Sequence, residues 1–149
     1  MKAEEILVHI ANRKDVNRIQ AYHEDALFTD KDGSVNLSHV LVAEEGGSFR
    51  GYLQYGLFKN HIPFMHKLYV VPTLRGKGYA TAIIREWENQ MREQEFNSVM
   101  LTSSSLSSAQ NFYRLMGYRD IGSFMLPGEP LEMIFLKRLD APEEPEQLQ

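Results

Sequence analysis

The chain has 149 residues, 43% apolar and 24% charged, which is the make-up of a soluble globular protein and the length of one domain. Sixteen Lys and Arg against twenty Asp and Glu leave a formal net charge of −4, the wrong sign for tracking a phosphate backbone, so nucleic acid is not the expected partner. The absence of cysteine excludes disulfide frameworks, thiol nucleophiles, thiolate zinc sites and iron–sulfur clusters, and apolar runs such as 68–71 and 133–136 fall far short of the roughly 18 to 20 residues that cross a bilayer.

In chain order, the acids of Met1-Lys2-Ala3-Glu4-Glu5 stand where a signal peptide has its positive region, so a cytoplasmic protein is expected. Ile6, Leu7, Val8 and Ile10 form a short branched run that predicts a first strand. Asp15 is placed to cap a helix carrying Val16, Ile19, Tyr22 and Ala26 at helical spacing. Residues 28–36 have turn chemistry and the length of a binding loop. Residues 39–44 and 49–58 are rich in branched and aromatic side chains and flank Glu45-Gly46-Gly47-Ser48, which predicts an antiparallel hairpin. After a turn at Lys59-Asn60-His61, residues 63–71 make a third strand of the meander, stopped by Pro72.

Beyond Gly78, Ala80, Ile83, Ile84, Trp87 and Met91 hold one face of a helix while Arg85, Glu86, Glu88, Arg92 and Glu93 hold the other. Residues 98–103 read as a buried strand, and strand, helix, strand in that order implies a parallel pair with a right-handed crossover. Ser107 and Gln110 have capping-box spacing ahead of Ala109, Phe112, Tyr113 and Met116, and Gly117 supplies a left-handed stop. Residues 118–124 and 131–139 predict a closing antiparallel pair. The expected architecture is α/β (α+β): one domain over residues 1–140, a mixed, mostly antiparallel sheet of six or seven strands flanked by helices, and a flexible acidic tail at 141–149.

The informative stretch is Leu68-Tyr69-Val70-Val71-Pro72-Thr73-Leu74-Arg75-Gly76-Lys77-Gly78-Tyr79-Ala80. A strand end, a turn with two glycines and two cations, and a helix N-terminus combine unpaired N–H groups, about half a positive charge from the helix dipole, and two full charges from Arg75 and Lys77. That is anion-binding chemistry. Two nucleotide motifs fail letter by letter: Gly76-Lys77 is followed by Gly78 where a Walker loop has Ser or Thr, and Thr81 stands where a dinucleotide loop has Gly or Ala. The serine run at 103–108 lacks a His and acid pair at nucleophile spacing, and the five histidines show no metal-ligand spacing.

Arg75, Gly78 and Ala80 after Val70-Val71-Pro72, with Ala109-Gln110-Asn111-Phe112-Tyr113-Arg114-Leu115-Met116-Gly117-Tyr118 downstream, resemble the motifs of the GNAT superfamily of N-acetyltransferases. The likeness is close over residues 68–118, and further upstream it lies in the order of elements. It implies a GNAT-like fold with a splayed parallel pair, acetyl-CoA as acyl donor without a metal, and a primary amine of a small molecule or peptide attacking directly in a ternary complex. It also implies cofactor contacts from Leu68, Tyr69 and Val70, from Arg75, Gly76, Lys77, Gly78, Tyr79, Ala80 and Thr81, and from Ser108, Asn111 and Phe112. A homodimer is left open. The same fold also accommodates a non-catalytic CoA sensor or interaction module.

Tyr113 is the implied general acid, since a phenol with an unperturbed pKa of about 10 stays protonated beside a thiol near 8.5. The glutamate that some family members carry early in the strand before the loop has no counterpart at residues 64–68, and Leu106 replaces a frequent asparagine three residues before the helix alanine. The base is therefore open between His66, Glu132 within an apolar strand, and a water relay. Tyr22, Phe28, Tyr52 and Tyr55 are either acceptor lining or core.

Overall fold

A computed structural model describes residues 5–21 and 26–140, so Tyr22 and the tail at 141–149 lie outside the described residues. The elements are β1 (Ile6–Ile10), α1 (Arg13–Gln20), β2 (Val40–Glu45), β3 (Ser48–Phe58), β4 (Ile62–Val70), α2 (Tyr79–Glu93), β5 (Ser98–Ser104), α3 (Ala109–Leu115), β6 (Arg119–Phe124) and β7 (Glu132–Arg138). The sheet has seven strands in the order β1-β2-β3-β4-β5-β7-β6. β4 and β5 form the expected parallel pair, with Phe64 opposite Met100 and Met65 opposite Leu101. The described residues fall into two compact units, one within Met1–Gly56 and His66–Gln90, the other within Leu57–Met65 and Met91–Gln149. Each unit draws on two separate stretches of chain, so neither is a domain in sequence.

In the first unit, β1, β2 and β3 pair antiparallel. Val16 and Ile19 of α1 pack with Ala26, Leu27, Val40, Val42 and Tyr52 into a buried cluster. The cap of α1 differs from expectation. Asn12, not Asp15, is the N-cap: its Oδ1 accepts from the Asp15 N–H at 2.9 Å while Asp15 Oδ2 accepts from the Asn12 N–H at 3.0 Å. Asp15 is thus the partner, at the third residue of the first turn, in a capping box that satisfies two orphan donors at once. In α2 Ile83, Ile84, Trp87 and Met91 of the predicted stripe are fully buried; Glu88, expected on the polar face, is buried with them, because it sits four residues from Ile84 and three from Met91 on the same side of the helix.

In the second unit, β7 lies between β5 and β6, pairing Ser98–Ser104 with Arg138–Glu132 on one side and β6 on the other. Gly117, at φ +97°, ends α3 as expected, and the Tyr118 N–H donates to the Tyr113 carbonyl at 3.0 Å. The expected capping box at Ser107 and Gln110 is replaced by a turn. Ser107 Oγ accepts from the Ala109 N–H at 3.1 Å, and the Gln110 amide donates to the carbonyls of Ser105 (2.9 Å) and Ser107 (3.0 Å). Ser108 is the N-cap, without a side-chain bond. No helix among the described residues is long and apolar enough to cross a membrane.

Candidate active site

The loop after β4 is a backbone device. The Val71 N–H donates to the Arg50 carbonyl at 2.9 Å, a 3-10 turn follows at Pro72–Leu74, and the Leu74 N–H donates to the Val71 carbonyl at 2.8 Å. Gly76 and Gly78 then take φ +81° and +92°, where an L side chain is strained, and a Cβ on either would meet no heavy atom within 4 Å. Both glycines therefore face open space. The Ala82 N–H bonds to the Gly78 carbonyl at 3.1 Å, so the N–H groups of residues 78–81 are the orphan donors of α2. Lys77 is exposed beside them.

Two predicted contacts take a more particular form. Arg75 folds back, with Nε donating to the Val70 carbonyl at 3.0 Å and its guanidinium 5.7 Å from the Tyr69 ring centre. Tyr79 is buried, its hydroxyl donating to Glu45 Oε1 at 2.5 Å, with Arg50 against the ring and 3.6 Å from Glu45. Tyr79 thus has only its backbone to offer an anion, while its side chain fastens the loop to the β2–β3 hairpin. Leu68 and Tyr69 are half-buried and Val70 is buried; Ala80 and Thr81 are half-buried at the helix start. Gly51 lies where a Cβ would collide with the Tyr69 carbonyl, so β3 approaches the strand end closely.

His66, on β4, is exposed, with its ring edge-on to Phe28 at 5.2 Å between centroids. Partial burial, and then His39, hold its pKa below the usual histidine value. His39, also lowered by burial, stacks on Tyr55 at 4.5 Å. Of the aromatics flagged as lining or core, Tyr52 and Tyr55 are buried, whereas Phe28 is 55% exposed.

Within the second unit, Tyr113 is buried and packs near the rings of Phe112 (5.5 Å), Tyr118 (6.2 Å) and Phe135 (6.2 Å). Burial pushes its pKa up to about 12. Asn111 is exposed and accepts from Arg114 Nη1 at 3.3 Å, while Ser108 is exposed and Phe112 half-buried. Glu132 is the first residue of β7, half-buried, opposite Ser104 and Phe124 in register, so it opens the strand rather than interrupting it. Leu106, ahead of α3, is almost fully exposed and offers no polar side chain.

Two groups escaped the sequence reading because the fold assembles them from distant residues. One is Gln54, buried, whose amide grips the backbone of Phe28. The other joins His9, Asp15, Arg18 and Glu44. His9 Nε2 lies 2.5 Å from Glu44 Oε1, and Arg18 Nη1 bridges Asp15 (3.4 Å) and Glu44 (3.3 Å). One donor atom each from His9, Asp15 and Glu44 lie within 4.8 Å of one another, but Arg18 already balances the two carboxylates.

A mixed sheet with β4 and β5 parallel, in which β4 leads through a glycine and cation loop into the long helix α2, defines the class: an α/β fold with an open helix N-terminus after β4. The sequence profile of the acetyltransferase (GNAT) family matches residues 5–118, and the chain belongs to that family. Solved structures share the fold. N-acetylglutamate synthase from Neisseria gonorrhoeae, crystallised with coenzyme A and N-acetyl-glutamate, superposes with a TM-score of 0.74 at 16% identity over 94% of this chain, which spans 36% of that protein's length. Ard1 from Thermoplasma volcanium gives 0.72 at 14% identity, over 89% of this chain and 97% of that one. The ribosomal-protein-S18-alanine N-acetyltransferase from Escherichia coli gives 0.73 at 10% identity, over 94% and 97%. Comparison with curated protein sequences returned no significant match.

Proposed function

We propose that the protein transfers the acetyl group of acetyl-CoA to a primary amine of a small molecule or peptide, by direct attack in a ternary complex. The carrying observation is the loop: Gly76 and Gly78 open to solvent beside Arg75, Lys77 and the N-terminus of α2, a seat for the pyrophosphate of CoA. Membership of the acetyltransferase family supports the reaction class. A neighbour of the same fold was crystallised with coenzyme A, which supports the donor.

The chemistry assigns roles to the remaining residues. An alkylammonium with a pKa near 10 must lose a proton before its nitrogen attacks the thioester carbonyl. His66 takes that role in this reading, because a ring whose pKa is lowered by burial and by His39 is unprotonated at neutral pH. The tetrahedral intermediate then expels the thiolate, breaking the C–S bond, and Tyr113 is the donor to the sulfur. Magnitude decides the form of that help. A phenol at about 12 is uphill of a thiol near 8.5 by about 5 kcal/mol, so the hydroxyl acts as a hydrogen bond to developing charge rather than as a complete proton donor. The proton that ends on sulfur is one released by the amine.

Purified protein incubated with acetyl-CoA and a panel of primary amines, followed by free-thiol release, tests the reading. Acetyl-CoA at 100 times its Kd should add about 2.7 kcal/mol of stability, with ATP and NAD far behind. CoA binding without thiol release on any amine points instead to a sensor. Glu132→Gln separates the bases: near-normal kcat/KM keeps His66 in the role, and a loss of tenfold or more moves it to Glu132.

A further inference from the structure

Three side-chain hydrogen bonds from β3 hold the backbone of residues 26–28. The Tyr52 hydroxyl donates to the Ala26 carbonyl at 2.6 Å, Gln54 Nε2 donates to the Phe28 carbonyl at 2.8 Å, and the Phe28 N–H donates to Gln54 Oε1 at 2.7 Å. Tyr52 and Gln54 are two residues apart and so share one face of the strand. Ala26 and Leu27 are buried, and what the anchored segment displays is the Phe28 ring. Burying a glutamine amide is costly unless its polar atoms are matched, and here both are matched by the backbone of one residue. Two parallel bonds fix direction as well as position.

The mounted ring has fixed neighbours. His66 meets it edge-on at 5.2 Å, and Lys67 Nζ lies 4.8 Å from its centre. His66 in turn lies against Gly56, where a Cβ would come within 2.5 Å of Nε2, so β3 leaves a recess for the imidazole. Of the titratable groups nearby, His39 acts on His66 directly, while Lys67 lies against Phe28 and Tyr55 against His39.

We infer that Gln54 is a positioning residue for amine acetylation, holding Phe28 so that its exposed ring keeps the His66 imidazole in place and receives the apolar body of the acceptor. The inference rests on the acetyltransferase reading and narrows its substrate class: primary amines with a large apolar body. A mostly solvated phenyl ring gains only by covering apolar surface, and Lys67 already holds cation–π distance to it, which disfavours a second cation there.

The test uses the full chain with Gln54→Met, Gln54→Glu and Phe28→Ser. The readouts are acceptor kcat/KM over primary amines graded in apolar size, CoA Kd, and the His66 titration midpoint by NMR. Gln54→Met should lose about tenfold or more in kcat/KM for the larger amines, mostly through KM, with CoA Kd within twofold. Its His66 midpoint, and with it the acidic limb of the pH profile, should rise toward the ordinary histidine value as the ring becomes solvated. Gln54→Glu keeps an acceptor for the Phe28 N–H and should fall between. Phe28→Ser leaves Gln54 its backbone bonds and, on an exposed residue, folds without a cavity; it removes the apolar surface and should lose the preference for apolar amines. An unchanged His66 midpoint or unchanged kcat/KM in folded Gln54→Met, or an unchanged amine preference in Phe28→Ser, overturns the inference while leaving the acetyltransferase reading intact. A wild-type chain that acetylates no amine fails that reading first and takes the inference with it.

Discussion

The loop between β4 and α2 and the platform around Phe28 are built by opposite means, although both belong to the first unit. The loop takes its geometry from consecutive residues: positive φ at Gly76 and Gly78, a cation on either side of Gly76, and the orphan N–H groups that any helix start presents. The platform draws its geometry from Gln54, Phe28, Gly56 and His66, scattered over three segments and brought together by strand register. A local device is written in neighbouring letters, whereas a tertiary one exists only after pairing is known. The two should also respond differently to mutation.

The loop should break most sharply. Gly78→Val puts a β-branched side chain at φ +92° and a side chain into space that no protein atom fills. CoA Kd, by titration calorimetry, should rise 100-fold or more. Because a Cβ there touches nothing in the protein, a folded variant with unchanged affinity would show that no ligand approaches this backbone.

Tyr113 lies between the two extremes, since its helix stripe is local while its burial comes from Tyr118 and Phe135. Tyr113→Phe keeps the ring and removes a hydroxyl whose hydrogen bond to a charged sulfur is worth about 1.5 to 3 kcal/mol, or roughly 10 to 100-fold in kcat. CoA Kd should stay within a few-fold and Tm should barely move. Wild-type kcat would return Tyr113 to the core.

Arg75→Ala should act on the loop more mildly. Its guanidinium already spends Nε on the Val70 carbonyl and packs on Tyr69, so the free protein loses a contact along with the charge. About a tenfold rise in CoA Kd is expected, with native far-UV circular dichroism, and the rise should shrink at high salt because an exposed charge is screened.

The same division explains what the sequence made legible. Strand and helix order, the α2 stripe, the parallel pair and the Gly117 stop were readable because period and turn chemistry are properties of neighbouring residues. Asn12 displaced Asp15 as the cap of α1 because capping-box spacing permits either residue to be read as the start, and only backbone dihedrals choose. Of the candidate site, the loop residues were found with their neighbours, but the inward turn of Tyr79 onto Glu45 and the docking of Arg75 onto Val70 depend on side-chain direction. Gln54 gave no signal, since a glutamine between Leu53 and Tyr55 in a strand looks like any polar residue until its partner at Phe28 is known.

The smallest expected effect tests the tertiary side away from the loop. His9 on β1 meets Glu44 on β2, with Asp15 and Arg18 of α1 beside them. Burial alone would lower the His9 pKa, but the Glu44 hydrogen bond, the Ile10 carbonyl and Asp15 together raise it above 6.5. A folded-state pKa above the unfolded one means that the protonated ring favours the fold: the contribution is complete below about pH 6.5 and disappears as pH rises through the folded value. Because His9 is partly exposed, solvent screening keeps the effect small. Thermal melts from pH 5 to pH 9 should therefore show a modest fall in Tm above neutrality that His9→Gln removes, and raising salt should flatten it in the wild type. The opposite slope would mean that desolvation dominates and that Arg18 alone balances Glu44. His66 and His39 work in the reverse sense, losing stability as pH falls through their lowered values, so the double variant His39→Gln/His66→Gln should leave the alkaline fall in place and steepen the net slope.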